Sequence, residues 1–321
     1  MLATLGVAGD IDEHEEPWAF EMKWDGIRAV TTIIDGSAQF VTRNGIDVTV
    51  TYPDLGDLGQ RVPSDTILDG EIVAMNRQGR PDFGLLQRRM KLTRTAEVAA
   101  AAKDIPVSYL VFDILRLRGR SLVELGYDER RALLLKEVRS GDAIQVPAVF
   151  KGDLASAIAA SLQLGLEGVV AKKRDSTYSA GRRSGAWVKV KHHKTQEVIV
   201  GGWRPGTGSR ASTIGSLLLG VPGPDGLEYV GRVGTGFDES GLRELTATLL
   251  ERERKTSPFA EVPRDVSRDA RWTSPNLVGE VEFAEWTSSG KLRQPSWRGW
   301  RPDKNPADVV REEAKHSAES R

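Results

Sequence analysis

The chain carries, at positions 20–28, the stretch Phe-Glu-Met-Lys-Trp-Asp-Gly-Ile-Arg, in which Lys23 is followed by Asp25, Gly26 and Arg28. A lysine amine with an ordinary pKa of about 10.4 is protonated and therefore a poor nucleophile. Burial and neighbouring cations favour the neutral amine, which can attack phosphorus or carbonyl carbon. Asp25 could accept a proton or orient the amine, and Gly26 would let the backbone approach a ligand closely. Taken alone, the stretch is better explained as a surface lysine before a turn.

Five further blocks follow in chain order, and most of them join an apolar, strand-like run to charged or aromatic residues. They are Leu-Asp-Gly-Glu-Ile-Val at 68–73, Tyr-Leu-Val-Phe-Asp-Ile-Leu at 109–115, Glu-Gly-Val-Val-Ala-Lys at 167–172, Trp-Val-Lys-Val-Lys at 187–191 and Arg-Pro-Asp-Lys at 301–304. Any one block is weak, whereas six in this order with plausible spacing are informative. The series resembles the motifs of covalent nucleotidyltransferases: ATP-dependent DNA ligases, RNA ligases and mRNA capping enzymes.

Longer stretches narrow the resemblance to the ligase domain of bacterial ligase D, the enzyme of non-homologous end joining. They lie at 178–183, 195–203, 231–237 and 293–300, and the resemblance extends over 1–311. Capping enzymes fit only the short motifs. NAD-dependent ligases have a zinc finger that needs cysteines, and this chain has none. The resemblance implies an ATP-dependent DNA ligase, with an RNA ligase or a capping-type nucleotidyltransferase as the alternative.

The resemblance also implies roles in nucleotide binding. Lys23 matches the nucleophile that attacks the α-phosphate of ATP, so that AMP becomes covalently bound to it and pyrophosphate leaves. Glu21 matches the position that reads the adenine amino group, and Phe112 matches the aromatic that stacks on adenine. Arg28 and Arg43 match arginines that engage the nucleotide and, after transfer, the DNA 5′-phosphate.

Four more residues match positions around the phosphates and the metal. Glu71 matches the carboxylate near the ribose and the metal, and Glu167 matches a metal-binding carboxylate. Lys189 and Lys191 match a pair that contacts the α-phosphate. Phosphoryl transfer needs positioning and charge neutralisation rather than covalent help. Two lysines two apart on a strand share a face, and carboxylate oxygens suit Mg²⁺ or Mn²⁺. Singly, however, such lysines more often lie on an edge strand, and Glu71 could simply end a strand.

A final motif contains Arg301, Asp303 and Lys304. In the family this motif reaches from the C-terminal domain to the triphosphate and orients pyrophosphate as the leaving group. The predicted catalytic residues are accordingly Lys23, Asp25, Lys189, Lys191, Arg301, Asp303 and Lys304. The histidines His14, His192 and His193 have no evident partner, and we assign them no role.

Charge and composition give a general picture of the partners. Acidic and basic residues number 45 each, but basic residues concentrate at 172–194 and, interleaved with tryptophans, at 291–304. Such stretches are typical of a protein that binds a polyanion with one face, although a solvent-exposed surface has the same pattern. The absence of cysteine excludes disulfides and suits a reducing cytosol. No apolar run approaches the ~20 residues of a membrane span, so we expect a soluble, cytoplasmic protein of the bacterial cytosol or nucleoid.

The 321 residues suffice for two domains. Strand-like runs at 18–24, 28–34, 67–75, 107–115, 167–173 and 186–191 alternate irregularly with helical patterns at 84–102, 128–139 (with Asp128 as the cap) and 154–164. We therefore predict an α+β adenylation (nucleotidyltransferase) domain with antiparallel sheets at 1–194. Glycine-punctuated strands around a helix near 238–253 predict an OB-fold β-barrel at 195–311, followed by a charged tail at 312–321.

The substrate implied is nicked or broken double-stranded DNA, joined by a monomer. Ku is a candidate partner, and polymerase and phosphoesterase modules accompany this ligase type in longer chains. The N-terminal helical DNA-binding domain of large ligases is missing, so the chain is either a stand-alone minimal ligase or an excised domain. A third class, a DNA-binding module without catalysis, is disfavoured because all the motif residues are intact.

Overall fold

The computed structural model describes residues 1–11, 17–90, 92–206, 213–237 and 239–312. The chain divides into two compact units, of which the first contains Met1–His192 and the second His193–Glu312. This division falls two residues before the predicted boundary between 194 and 195. His14 and the predicted tail beyond residue 312 lie outside the described residues.

The first unit is built on two β-sheets. Its strands are β1 (Leu2–Leu5), β2 (Trp18–Lys23), β3 (Ile27–Ile34), β4 (Ser37–Thr42), β5 (Thr66–Ala74), β6 (Val107–Leu117), β7 (Arg120–Ser121), β8 (Ile144–Gln145), β9 (Gly168–Lys173) and β10 (Arg183–Lys191). Within the described residues, one sheet has the order β1-β10-β9-β2 and the other the order β4-β3-β5-β6-β7, with β8 beside β6. Only the β1–β10 and β6–β8 pairings are parallel among those described. The predicted α+β class with antiparallel sheets is confirmed.

Alternating side chains fix which face of each sheet is buried. Along β3, Ile27, Ala29, Thr31 and Ile33 are buried while the intervening residues are more exposed. This two-residue period is typical of a strand with one face against the core. The larger core gathers the inward residues of the β4-to-β7 sheet, and a second core packs the β2 and β9 side chains against a helix.

Helices cover the outer parts of these cores. They are α1 (Leu58–Arg61), α2 (Phe83–Gln87), α3 (Thr95–Asp104), α4 (Tyr127–Glu137) and α5 (Leu154–Gln163). Asp153 caps α5 by accepting a hydrogen bond from the Ser156 amide at 2.6 Å. At α4 the predicted cap is wrong, because Asp128 lies inside the first turn and Gly126 precedes the helix.

The predicted single helix at 84–102 is also wrong, because the chain leaves α2 after Gln87 and turns at 88–90. The cause is Arg89, whose side chain is fully buried. Its guanidinium donates to the carbonyls of Ile105 (3.0 Å) and Thr51 (2.8 Å) and pairs with Asp54. A buried guanidinium must have acceptors, and here they come from two other parts of the chain, residues 51–54 and Ile105.

The second unit consists mainly of strands. They are β11 (Lys194–Pro205), β12 (Ile214–Gly223), β13 (Gly226–Val233), β14 (Glu253–Arg254), β15 (Arg271–Thr273), β16 (Val278–Phe283), β17 (Glu285–Trp286), β18 (Leu292–Arg293) and β19 (Ser296–Trp300), with helices α6 (Glu239–Leu250) and α7 (Arg264–Ser267). Pairing follows the path β13-β12-β11-β16-β19, and α6 lies between β13 and β16 in sequence. Five principal strands with a helix after the third are the pattern of an OB-fold, as predicted.

No helix among the described residues has the length and apolar character needed to cross a membrane.

Candidate active site

Gly168 lies between the two strands that carry the candidate lysines. In the β1-β10-β9-β2 sheet its Cα is paired with Lys23 on one side and with Lys191 on the other. A Cβ atom at Gly168 would lie 2.0 Å from the carbonyl oxygen of Val190, so no larger residue fits without moving β10. The sheet therefore brings together two lysines that are far apart in sequence.

Glu167 immediately precedes Gly168 and joins both lysines. One of its carboxylate oxygens, Oε2, accepts a short hydrogen bond from Lys23 Nζ, and the other, Oε1, lies 3.3 Å from Lys191 Nζ. The main chain of Glu167 is fixed as well, because its amide donates to the Lys23 carbonyl and its carbonyl accepts from the His192 amide. The side chain is only 10 % exposed. A carboxylate is thus held between two ammonium groups at the end of three adjacent strands.

Lys189 lies two residues before Lys191 on the same strand, so both side chains leave the same face. This strand is interior in the sheet, because β1 pairs along its other side, with Leu5 opposite Lys189. The edge-strand explanation of the two lysines is therefore wrong. Asp25 follows β2 and is partly buried.

Arg28 and Glu71 face each other on β3 and β5. Glu71 lies in the middle of β5. The alternative that it simply ends a strand is therefore wrong. The Arg28 guanidinium binds the buried Asp69 carboxylate through Nε at 2.9 Å and Nη2 at 2.5 Å. Burial alone would raise the pKa of Asp69, but the Arg28 charge and these hydrogen bonds hold that pKa below its usual value.

Glu21 lies on β2 two residues before Lys23 and is buried. Its carboxylate accepts a hydrogen bond from the Tyr127 hydroxyl at 2.5 Å and lies 2.8 Å from Lys172 Nζ. Burial, followed by the Glu21 charge, raises the pKa of Tyr127 well above its usual value, so the phenol remains a donor. Both oxygens of this carboxylate therefore have fixed cationic or hydroxyl partners.

Aromatic rings surround the same ammonium group. Lys172 Nζ lies 4.2 Å from the ring centre of Trp187, 4.6 Å from that of Phe112 and 5.3 Å from that of Tyr127. Cations are attracted to the faces of aromatic rings at such distances. Phe112, the candidate stacking residue, is only partly buried and also has the Arg28 guanidinium 5.5 Å from its ring centre.

Arg43 is one candidate that makes no hydrogen bond or ion pair with the described residues around Lys23 and Lys172. It is exposed in the turn after β4 and makes no hydrogen bond or ion pair within the described residues. The metal assignment likewise has no preformed cluster, since the described residues contain no group of three or more histidine, cysteine or carboxylate side chains suited to hold an ion.

The C-terminal motif belongs to the second unit and forms an ion network there. Arg301 is buried and donates to both oxygens of Asp303, at 2.9 and 2.7 Å, and to Glu280 at 2.9 Å. Lys304 Nζ lies 2.8 Å from Glu197 Oε1. Glu197 and Glu280 are directly opposite on β11 and β16, where like charges would repel without a neutralising cation. Arg301 and Arg298 supply positive charge to Glu280, and Lys304 supplies it to Glu197.

Two family models match the chain. The ATP-dependent DNA ligase domain matches residues 1–191, and the C-terminal region of ATP-dependent DNA ligases matches residues 210–304. The chain belongs to the family of ATP-dependent DNA ligases. This result confirms the resemblance that the motifs had indicated and the class of enzyme expected from it.

Known relatives of this ligase chain include multifunctional end-joining proteins. It is 44% identical over 316 residues to the multifunctional non-homologous end joining DNA repair protein LigD of Mycobacterium tuberculosis, covering 97% of this chain and 39% of that protein. It is 36% identical to LigD of Pseudomonas aeruginosa, covering 92% of this chain and 35% of that protein. The chain thus spans well under half the length of these relatives.

Solved structures of related ligases have the same fold as this chain. A mycobacterial DNA ligase D complexed with ATP and MES is 41% identical, with a TM-score of 0.67 and 97% of both chains covered. The ligase domain of M. tuberculosis LigD is 42% identical, with a TM-score of 0.51 and the same coverage. The predicted adenylation domain and OB-fold are therefore confirmed.

Several features of this ligase were missed or misjudged from sequence. Lys172 was counted with an exposed basic stretch but is 2% exposed and paired with Glu21. Of the two tryptophans expected to line a polyanion surface, Trp297 is buried in the core of the second unit and Trp300, which is partly buried, packs against that core. Gly26 is required by the packing of the sheet, which the sequence did not indicate, because a Cβ there would lie 2.2 Å from the Ile72 carbonyl oxygen of β5. In each case the partner is remote in sequence.

Proposed function

We propose that this chain catalyses ATP-dependent joining of DNA through an adenylyl group carried on Lys23. The Lys23 amine forms a bond to the α-phosphorus of ATP as the bond to pyrophosphate breaks, and the amine loses its proton. The AMP then passes to a DNA 5′-phosphate, and a 3′-hydroxyl displaces it to seal the strand. The observation that carries the proposal is the Glu167 carboxylate held between Lys23 and Lys191.

This cluster suits a nucleophilic lysine because the Glu167 carboxylate holds the Lys23 amine in place for attack, and Lys191 adds positive charge beside the phosphate to be attacked. Lys189 and Lys191, on one face of β10, then bind oxygens of the α-phosphate. Arg28 binds a further phosphate oxygen, Glu21 accepts from the adenine amino group, and Phe112 covers the base. Arg43 and Asp25 complete the proposed set near the nucleotide and the nucleophile.

A divalent cation, Mg²⁺ or Mn²⁺, would be held by Glu167 and Glu71 together with phosphate oxygens. Mg²⁺ commonly uses one or two carboxylates plus phosphates, which agrees with the lack of a three-carboxylate cluster among the described residues. When bound, the ion would neutralise charge on the phosphates. Glu167 would then exchange at least one lysine contact for it.

The C-terminal motif is proposed to act on the departing pyrophosphate. Lys304 is 16% exposed at its side chain and contacts one carboxylate, so it is the member able to exchange partners. Arg301 and Asp303 are buried in mutual hydrogen bonds and are proposed to hold the motif in shape.

The physiological substrate proposed is broken double-stranded DNA in non-homologous end joining, with nicked duplex as the simplest form. The relatives named for this process are multifunctional and much longer than this chain. We therefore also propose cooperation with polymerase and phosphoesterase modules of a longer polypeptide and with an end-holding protein such as Ku.

The test is covalent labelling. The protein is incubated with ATP and Mg²⁺, the adduct is mapped by mass spectrometry, and Lys23→Ala is compared with Lys173→Ala, an exposed lysine of β9 outside the site. We expect AMP on Lys23, retained in Lys173→Ala and absent from Lys23→Ala. An adduct on another residue would contradict the assignment. GTP labelling, or sealing of RNA but not DNA nicks, would instead favour the RNA ligase or capping-type alternative.

A further inference from the structure

Tyr178 lies in the segment between β9 and β10, within the stretch 178–183, and the mechanism above gives it no role. Its side chain is 7% exposed. The segment is held in place by the Tyr178 amide, which donates to the Val123 carbonyl at 2.8 Å, and by Arg130, which donates to the Ser176 carbonyl at 2.9 Å. A polar hydroxyl is thereby fixed inside the first unit.

That hydroxyl bridges the two members of an ion pair. Tyr178 donates to Asp69 Oδ2 at 2.8 Å, and its oxygen accepts from Arg28 Nη2 at 3.2 Å. Burial, followed by the Asp69 charge, raises the pKa of Tyr178 well above its usual value, so the group remains a phenol. Its proton is consequently always available to the Asp69 carboxylate.

The Arg28 guanidinium is restrained on nearly every side. Asp69 binds Nε and Nη2, Tyr178 binds Nη2, and the rings of Phe112 and Trp187 lie 5.5 and 5.7 Å from its central carbon. The third nitrogen, Nη1, has no hydrogen-bond partner within the described residues, and the side chain is 22% exposed. One N–H edge is thus left for a ligand.

A second ion pair supports this arrangement. Asp69 is directly opposite Asp113 on β5 and β6, and both are buried. Asp113 is bound through two hydrogen bonds, 2.8 and 3.0 Å, by the buried Arg130, whose guanidinium lies 5.8 Å from the ring centre of Tyr178. Each aspartate therefore has its own arginine, and the tyrosine ring and hydroxyl contact both pairs.

From these contacts we infer that Tyr178 is a positioning residue for Arg28: its hydroxyl fixes the Asp69–Arg28 pair so that Nη1 presents its donors to a phosphate oxygen. The inference rests on the proposed function of Arg28. Hydrogen bonds to charged groups in a site of fixed geometry contribute substantially, and small misplacements of a phosphate ligand slow transfer. Loss of the hydroxyl leaves the ring in place but removes the contact that links the Asp69 carboxylate to Arg28 Nη2, so the guanidinium is held by Asp69 and the aromatic rings alone.

The experiment is a double-mutant cycle with Tyr178→Phe and Arg28→Ala. The ATP concentration for half-maximal self-adenylylation, the maximal rate of that step, and the sealing rate of a nick already carrying 5′-AMP are measured for each variant. We expect Tyr178→Phe to impair the same parameters as Arg28→Ala, by about tenfold, and to add less than about twofold in the Arg28→Ala background. Tyr229→Phe, a buried tyrosine of the second unit, is the control and should combine additively with Arg28→Ala.

The outcomes separate the inference from the function on which it rests. If Arg28→Ala changes no parameter, the role of Arg28 is refuted, whatever Lys23 labelling shows, and the inference falls with it. If Arg28→Ala is impaired while Tyr178→Phe is unchanged, only the inference is overturned. Equal losses from Tyr178→Phe in both backgrounds, with a lowered unfolding temperature, would show a purely structural tyrosine and also overturn it.

Discussion

Replacement of Lys172 by methionine tests whether the buried ion pair with Glu21 is a structural requirement of the first unit. Methionine has a similar length but no charge, so the aromatic surroundings are filled while the Glu21 carboxylate loses its cation. Only the Tyr127 hydroxyl would then remain bonded to a carboxylate that is 11% exposed at its side chain. Removing one partner of a buried pair costs about 3–5 kcal/mol.

This cost can be converted into a thermal shift. For domains of this size, 1 kcal/mol changes the unfolding temperature by about 2–4 °C, so Lys172→Met should lower it by about 6–20 °C. The double variant Lys172→Met/Glu21→Gln should lose less than Lys172→Met alone, because its buried amide carries no unpaired charge. The matched control is Lys173→Met, whose exposed ammonium should contribute less than about 1 kcal/mol.

The measurement is calorimetric or circular-dichroism unfolding of four variants beside the wild type: Lys172→Met, Glu21→Gln, the double variant and Lys173→Met. A loss below about 1 kcal/mol in Lys172→Met would refute the reasoning. The reasoning would also be refuted if the stability lost by the double variant equalled the sum of the losses of Lys172→Met and Glu21→Gln, since contacting charges must show coupling.

Three further predictions concern the reaction and its substrate. Glu167→Gln should fold normally but lose most self-adenylylation, measured by AMP labelling, because it removes the charge between Lys23 and Lys191; wild-type labelling would contradict this. Lys304→Ala should slow self-adenylylation far more than sealing of a pre-adenylylated nick, since pyrophosphate leaves only in the first step; equal losses would indicate misfolding or direct DNA contact. If three phosphates are neutralised, nick affinity measured by titration should fall about 40-fold for a fourfold rise in salt, and a flat response would exclude the exposed basic residues as the DNA contact surface.

Much of the geometry of the candidate site could be predicted because its motifs are local in sequence. The run 20–28 contains both the proposed nucleophile and the turn after β2, and the two-residue spacing of Lys189 and Lys191 already places them on one face of a strand. The order of the motifs was enough to identify the family. Strand positions followed from apolar alternation, which depends only on neighbouring residues.

The remaining features depend on partners that lie far away in sequence. Arg89 ends a helix because its acceptors are at Thr51, Asp54 and Ile105, and no local pattern marks them. Likewise the composition of a basic stretch does not distinguish an exposed lysine from Lys172, which is buried only because Glu21 faces it from another strand. Arg301 was predicted as catalytic, and no local pattern marks its burial against Glu280, which lies on another strand.

The β1-β10-β9-β2 sheet has a consequence for the order of folding. Its strands come from the first 23 and from residues 168–191 of the chain, whereas β3, β4, β5 and β6 lie within 27–117. Closing such long loops costs conformational entropy before any inter-strand contact can offset that cost, so non-local sheets form late. On a ribosome the β3-to-β6 sheet can assemble first, but the pairings of Gly168 with Lys23 and Lys191 must wait until β10 has emerged. The nascent chain thus brings Lys23, Glu167 and Lys191 together only after almost the whole first unit has been synthesised.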